Sequence, residues 1–367
     1  MMGGSSFGPF FEASGEFMEF EKLRGLVELE FDVEEAFLEF GTPTFNVGLK
    51  GDSKQAFLRL FKRLNALGFA PILRRREGKG LLQVVRRPPV KPGRWVVNAA
   101  SFLATMGTTL LTGYILSLDW VRRGLISSPL VGALTFMVAI MAVLGAHEMA
   151  HKLAAHRHGV EASYPYFIPG PPMPYGIGTF GAVIQQKSLA PNKDALFDLG
   201  ISGPVVGFIA TIIVTIIGVR WSLAIPMSEV PRGAQILQMP LLFEFITVLF
   251  PPGGRGEVIW LHPVAFAGWV GMLVTMLNLM PTGMLDGGHA VRGLLGQRAR
   301  SLLSFLSVMV LISLGHWPMA IVAFLLSLQQ HPGPLDDVSG LTKGRKLTAV
   351  VLVLIFVLSV APIWPLF

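Results

Sequence analysis

The chain has 367 residues, of which 52% are hydrophobic and only 14% charged, with a mean hydropathy of +0.58. That balance excludes an ordinary soluble enzyme and points to a polytopic membrane protein. The absence of cysteine excludes disulfides and thiolate-ligated metal, and the net charge of +7 fits Lys and Arg gathered in cytoplasmic loops better than a nucleic-acid partner.

The opening stretch MMGGSSFGPFFEASGEF is acidic and lacks the basic region of a signal peptide. Residues 1–94 hold 15 of the 30 Lys and Arg and 12 of the 23 Asp and Glu, so charge divides the chain in two. The proline-rich stretch Pro88 to Trp95 reads as the hinge, giving a soluble α+β domain over 1–90 and a membrane domain over 91–367. In the first, TFNVGLK alternates Phe45, Val47 and Leu49 as a half-buried strand. A helix follows, with Ser53 as its N-cap, Phe57, Leu60, Phe61 and Leu64 on one face, and Gly68 at its end. FAPILRRR and LLQVVRR flank EGKG as a hairpin. Its run RRREGKG is basic enough to touch phosphate, but a solvated or membrane-facing edge is the simpler reading, and no nucleic-acid partner is expected.

Beyond Trp95, apolar segments fall at about 95–118, 130–157, 196–219, 261–281, 300–314, 317–329 and 346–363, which predicts about six or seven transmembrane segments. GHWP, Gly315 to Pro318, breaks the fifth from the sixth, as a helical hairpin or one kinked span. Gln235 to Phe250 reads as interfacial or re-entrant because of its glutamate and proline. Basic residues place the first hinge, the end of the second span and the end of the fourth in the cytoplasm. Lys343, Arg345 and Lys346 join them only if residues 300–329 cross twice, which favours the hairpin. Arg122, Arg123 and Arg220 break the pattern.

The end of the second span, AVLGAHEMAHKLAAHRHG, places ionisable groups in an apolar run, each costing about 2.5–3.5 kcal/mol near a bilayer centre. HEMAH fits H-E-x-x-H. Four residues apart on a helix, His147 and His151 point from one face toward a single metal ion. Glu148 is turned about 100° from His147, beside the ion, where it can take a proton from water and pass it to the leaving amine. His156 and His158 read as headgroup-level residues.

A catalytic zinc takes a third protein ligand and keeps an open position. The best donor is Asp286, in NLMPTGMLDGGHA. A preceding proline and two following glycines should unwind the helix there and free the carboxylate. Topology agrees, since the second and fourth spans finish on the same side. His289 could compete as ligand, but a histidine of the bundle wall or surface is the plainer reading. The ligand types suit one zinc per chain and would also accept another divalent ion. The alternative reading is a metal or solute transporter, which predicts polar groups strung across several spans and an internal repeat; one compact cluster and no repeat are seen.

HEMAH followed by N-x-x-P-x-x-x-x-D-G (Asn278, Pro281, Asp286, Gly287) resembles the site-2 protease family of intramembrane zinc metalloproteases. GIGTFGAVIQQKS, DLGISGPVVGF and LQQHPGPLDDVSGLTKGRK resemble it too, the last in its archaeal, cyanobacterial and chloroplast branch. The resemblance covers about residues 95–367, with no inserted PDZ or C-terminal CBS domain. It implies proteolysis within or beside a membrane-spanning substrate, in the bilayer, with His147, His151 and Asp286 on zinc and Glu148 as base. The basic residues at the span ends, not the resemblance, put the active site toward the cytoplasm, with the N-terminal domain there as well. Asn278 would hold substrate or the oxyanion, or else serve as a structural amide. GIGTFG does not open a helix after a buried strand, so it is no dinucleotide fingerprint. The family implies a membrane-associated β-hairpin, with Gly176, Gly178, Phe180 and Gly181 letting a substrate backbone approach; a structural turn is the plainer alternative.

Overall fold

The computed structural model describes residues 8–49, 52–89, 93–230, 234, 236–313, 317–329 and 331–360. The chain forms two compact units, one gathering the N-terminal region to Lys91 with Leu189–Lys193 and Gly333–Leu341, the other containing the remainder.

The first unit runs α1 (Gly8–Glu28), β1 (Asp32–Glu39), β2 (Thr42–Gly48), α2 (Ser53–Ala66), β3 (Phe69–Arg76) and β4 (Lys79–Arg86). The strands form an antiparallel sheet in the order β1-β2-β4-β3. Phe57, Leu60 and Leu64 of α2 and Leu23 and Val27 of α1 join Phe45, Val47, Leu73, Leu82 and Val84 in one core. The cap of α2 is Asp52, not Ser53: its Oδ1 accepts from the Gln55 N–H at 3.3 Å, and Ser53 is the first helical residue. A carboxylate one position earlier serves as well and also suits the helix dipole. Gly68 ends the helix at φ +81°, and Glu77 and Gly78 both take positive φ in the tight hairpin turn.

The basic run is taken up inside this unit. Lys79 pairs with Glu34 at 2.6 Å and Arg76 with Glu39 at 3.5 Å, both acids on β1. Arg74 donates to the carbonyls of Pro334 and Leu335. The β3 edge is covered by two distant segments: the Leu73 N–H donates to the Leu335 carbonyl at 2.9 Å, and the Leu335 N–H donates to Ala190 at 2.8 Å. Leu335 itself belongs to the core. An open strand edge invites foreign pairing, and this cover removes it.

The second unit contains α3 (Trp95–Arg122), α4 (Pro129–Arg157), β5 (Tyr166–Pro169), β6 (Thr179–Val183), α5 (Lys193–Trp221) and β7 (Leu223–Ile225). It continues with α6 (Leu241–Leu249), β8 (Gly253–Gly254), β9 (Val258–Trp260), α7 (Pro263–Leu279), α8 (Asp286–Leu295), α9 (Gln297–Ser313), α10 (Trp317–Ser327) and α11 (Lys343–Ser359). Each expected apolar segment is helical, and the interfacial stretch holds the nine-residue α6. Among the described residues α3, α4 and α5 are long and apolar enough to cross a bilayer. At 28 or 29 residues and about 1.5 Å per residue they exceed the ~30 Å hydrocarbon thickness. α9 and α10 share an apolar cluster through Val308, Leu311, Ala320 and Ala323. Gly315 and His316 of the expected break lie outside the described residues.

Small residues let these helices meet. A Cβ on Gly113 of α3 would lie 2.8 Å from the Ala133 backbone of α4, and one on Gly268 of α7 would strike Thr215 of α5. The buried hydroxyls of Thr105, Thr109 and Thr112 return to carbonyls four residues back, so they need no water. Strands β5 and β6 form a two-stranded antiparallel hairpin anchored on α3. Asn98 donates to the carbonyls of Tyr164 and Pro165, and Thr108 donates to that of Gly178 at 2.6 Å. GIGTFG therefore sits in a hairpin rather than before a helix.

His262 caps α7, its Nδ1 accepting from the Val264 N–H, and it packs edge-on to Trp120 and Trp221.

Candidate metal centre

The C-terminal part of α4 is a helix without interruption through HEMAH, so His147 and His151 fall one turn apart on one face and both are buried. The third donor comes from the chain break after α7. Pro281 cannot continue the helical ladder, and the chain turns through Gly283 at φ +53° before α8 begins at Asp286. The break is thus at residues 280–285, upstream of where the sequence suggested. Asp286 opens a new helix rather than ending an unwound one. Gly287 and Gly288 allow that turn to close, since a Cβ on either would meet the carbonyls of Leu279 or Gly283 within 2.5 Å.

Asp286 Oδ2 lies 3.1 Å from His147 Nε2 and 3.2 Å from His151 Nε2, and the two imidazole nitrogens are 3.1 Å apart. Donors bound at ~2.0–2.2 Å around a tetrahedral ion stand about 3.3–3.5 Å apart, so this triangle has nearly the size of one tetrahedral face. The donor set of two imidazoles and a carboxylate also suits zinc. It is the cluster among the described residues that could hold a metal ion.

The ring of His151 is oriented from behind. Its Nδ1 lies 2.7 Å from the Leu199 carbonyl, which fixes the proton on Nδ1 and leaves the Nε2 lone pair toward Asp286. Ser202 Oγ is 3.3 Å from the same nitrogen. Glu148 is buried beside His147, with Oε1 4.0 Å from Nε2, and the Ile184 N–H just past β6 bonds to the Glu148 carboxylate. Asn278 Nδ2 lies 3.3 Å from His147 Nε2.

His289 is not in this cluster; its Nδ1 lies 2.7 Å from His331 Nε2. Neither His156 nor His158 joins the cluster: His158 bonds Asp198 at 2.8 Å, and His156 is exposed. Gly176 and Gly178 are occupied by packing: a Cβ would lie 2.6 Å from the Pro171 carbonyl in one case and 2.7 Å from Thr108 in the other. Gly181, at φ +104°, has open space in front of it, and Phe180 is exposed.

The residues missing from the sequence reading are those of α5. A Cβ on Gly203 would stand 2.0 Å from His151 Nε2, one on Gly207 2.9 Å from His147 Nδ1, and one on Gly200 2.7 Å from the Asp286 carbonyl. This glycine stripe lets the α5 backbone lie directly on the ligands. The signal was present as small residues at helical spacing in an apolar run.

Residues 135–317 match peptidase family M50. The chain carries a domain of that family. The resemblance to site-2 proteases read from the motifs is thereby borne out, and the domain makes the chain a metalloprotease, with no support for a transporter. Two chloroplast proteins named probable zinc metalloprotease EGY1 are similar over 94% of this chain. The one from Oryza sativa subsp. japonica is 28% identical and covered over 67% of its length; the one from Arabidopsis thaliana is 27% identical and covered over 70%. A probable zinc metalloprotease EGY2 from Oryza sativa subsp. indica is 26% identical over 88% of this chain and 61% of its own. No solved structure matches.

Gly203→Ala should lower the metal affinity of this M50 domain about 10–100-fold, because a methyl there displaces the His151 ring. Gly145→Ala, also on a helix but facing open space, should leave it unchanged. Zinc competition against a chromophoric chelator checks both, and tight binding by Gly203→Ala would remove the glycine from this role.

Proposed function

We propose that the chain hydrolyses peptide bonds within or beside membrane-spanning segments of other proteins, as an integral membrane zinc endopeptidase. His147, His151 and Asp286 hold one zinc per chain, and Glu148 acts as general base and then as acid. The observation that carries this reading is the triangle of ligand atoms with a buried carboxylate beside it, at the end of a helix long enough to span a bilayer.

When bound, zinc supplies a Lewis acid that polarises the scissile carbonyl and lowers the pKa of water from 15.7 to about 7. Glu148 takes the proton from the attacking water and gives it to the leaving nitrogen. The Asn278 amide faces the same space and can donate to the charge that develops on the carbonyl oxygen. A helical substrate hides its peptide bonds in its own ladder and must open before attack. β6 offers an edge to which the opened segment can add as a strand, with Phe180 and Gly181 along it and the Ile184 N–H leading to Glu148. Gly178 contributes by holding the hairpin loop against α3, and Gly176 by closing that loop on Pro171.

The membrane domain, 91–367, would cross the bilayer about six or seven times, through α3, α4, α5, α7, α11 and the α9–α10 pair. Basic residues at the ends of the spans favour a metal centre toward the cytoplasm, with the soluble domain over 1–90 on that side.

Glu148→Gln should keep about one zinc per chain yet cut a membrane-spanning peptide ~100–10,000-fold more slowly. Metal content and peptide cleavage by the detergent-purified protein test this together. Equal cleavage by both proteins would remove Glu148 from the chemistry.

A further inference from the structure

Behind the metal centre, three elements meet in a charged clasp. Asp198, in the second turn of α5, accepts from Arg345 Nε at 2.7 Å through Oδ1 and from Arg345 Nη2 at 2.6 Å through Oδ2. Its Oδ2 also meets His158 Nε2 at 2.8 Å. One turn earlier, Asp194 accepts from the Thr342 N–H at 2.9 Å and from the Thr342 hydroxyl, and lies 3.2 Å from Arg345 Nη1. The two-pronged contact is the strong form of a guanidinium–carboxylate pair, because the planar fork fixes direction as well as distance.

Its position matters more than its strength. The residue after Asp198 is Leu199, whose carbonyl orients His151. His151 and His158 are seven residues apart, two turns along one face of α4, and they grip consecutive residues of α5. The start of α11 therefore holds the part of α5 that aims a metal ligand.

We infer that Asp198 and Arg345 are positioning residues for the metal centre: the fork between α5 and α11 sets where the Leu199 carbonyl stands and so how the His151 ring presents its free nitrogen. This rests on the zinc reading above. A ligand whose orienting partner shifts binds metal more weakly even when the fold is intact, typically by 10–100-fold.

The test uses the full chain in detergent, with zinc as the probe in competition with a chromophoric chelator and cobalt as a spectroscopic substitute. Arg345→Met should weaken zinc 10–100-fold and shift the cobalt absorption bands, and Arg345→Lys should recover part of both. Asp198→Asn, the same size without the charge, gives a second route if Arg345→Met fails to fold. All are compared at a temperature where near-ultraviolet circular dichroism matches the unmutated protein. Unchanged zinc affinity and cobalt spectrum, with only a lower melting temperature, would make the pair a structural brace and overturn the inference. An unmutated protein that binds no metal would instead overturn the zinc reading on which it stands.

Discussion

The second unit depends on one close approach, that of the α5 backbone to the α4 histidines. Two imidazoles and a carboxylate cannot share a space of about 3 Å unless the neighbouring helix has no side chains there. Gly200, Gly203 and Gly207 provide that, at helical spacing. Three uses follow from the same approach. It fills the space behind the cluster, brings a backbone carbonyl onto His151, and leaves the front of the cluster to Glu148, Asn278 and the end of β6. In a bilayer, where association cannot draw on the hydrophobic effect, such packing with hydrogen bonds supplies the cohesion.

The chemistry was more legible than the architecture around it. The metalloprotease class could be read because HEMAH and the later aspartate have the residue types and spacing that a metal site needs, and because charge inside an apolar run demands a reason. Helix positions were equally legible where long apolar runs ended at basic residues or prolines. The edges were not. Asp52 and Ser53 are both good caps, and composition does not choose between them. Asp286 proved to open a helix because the turn at Gly283 is set by what packs on it, not by local preference. Strand β1 was invisible for a different reason. DVEEAFLE carries its glutamates to meet Lys79 and Arg76, and a bulge between Val33 and Glu35 breaks the alternation.

The basic run Arg74 to Lys79 has partners that are distant in sequence. Read alone it is basic enough to touch phosphate, though a solvated edge is the simpler reading. In the fold, Arg74 is bound to carbonyls about 260 residues away and two of the others meet acids on β1. His158 is a similar case: its partner, Asp198, is 40 residues away. Pairing of this kind is decided by topology, which a linear pattern does not contain.

Leu335, in the core of the first unit and bonded to β3, has a consequence for how the protein is made. At about 5–20 residues per second, a ribosome needs on the order of 10–50 s to pass from β4 to Leu335. Throughout that time the first unit lacks the segment that covers its sheet edge. Strands β1 to β4 are therefore made well before the segment that completes their sheet. Its closure would record that the chain between has been delivered, and a chain stalled midway would keep an unpaired strand for a chaperone or protease to find.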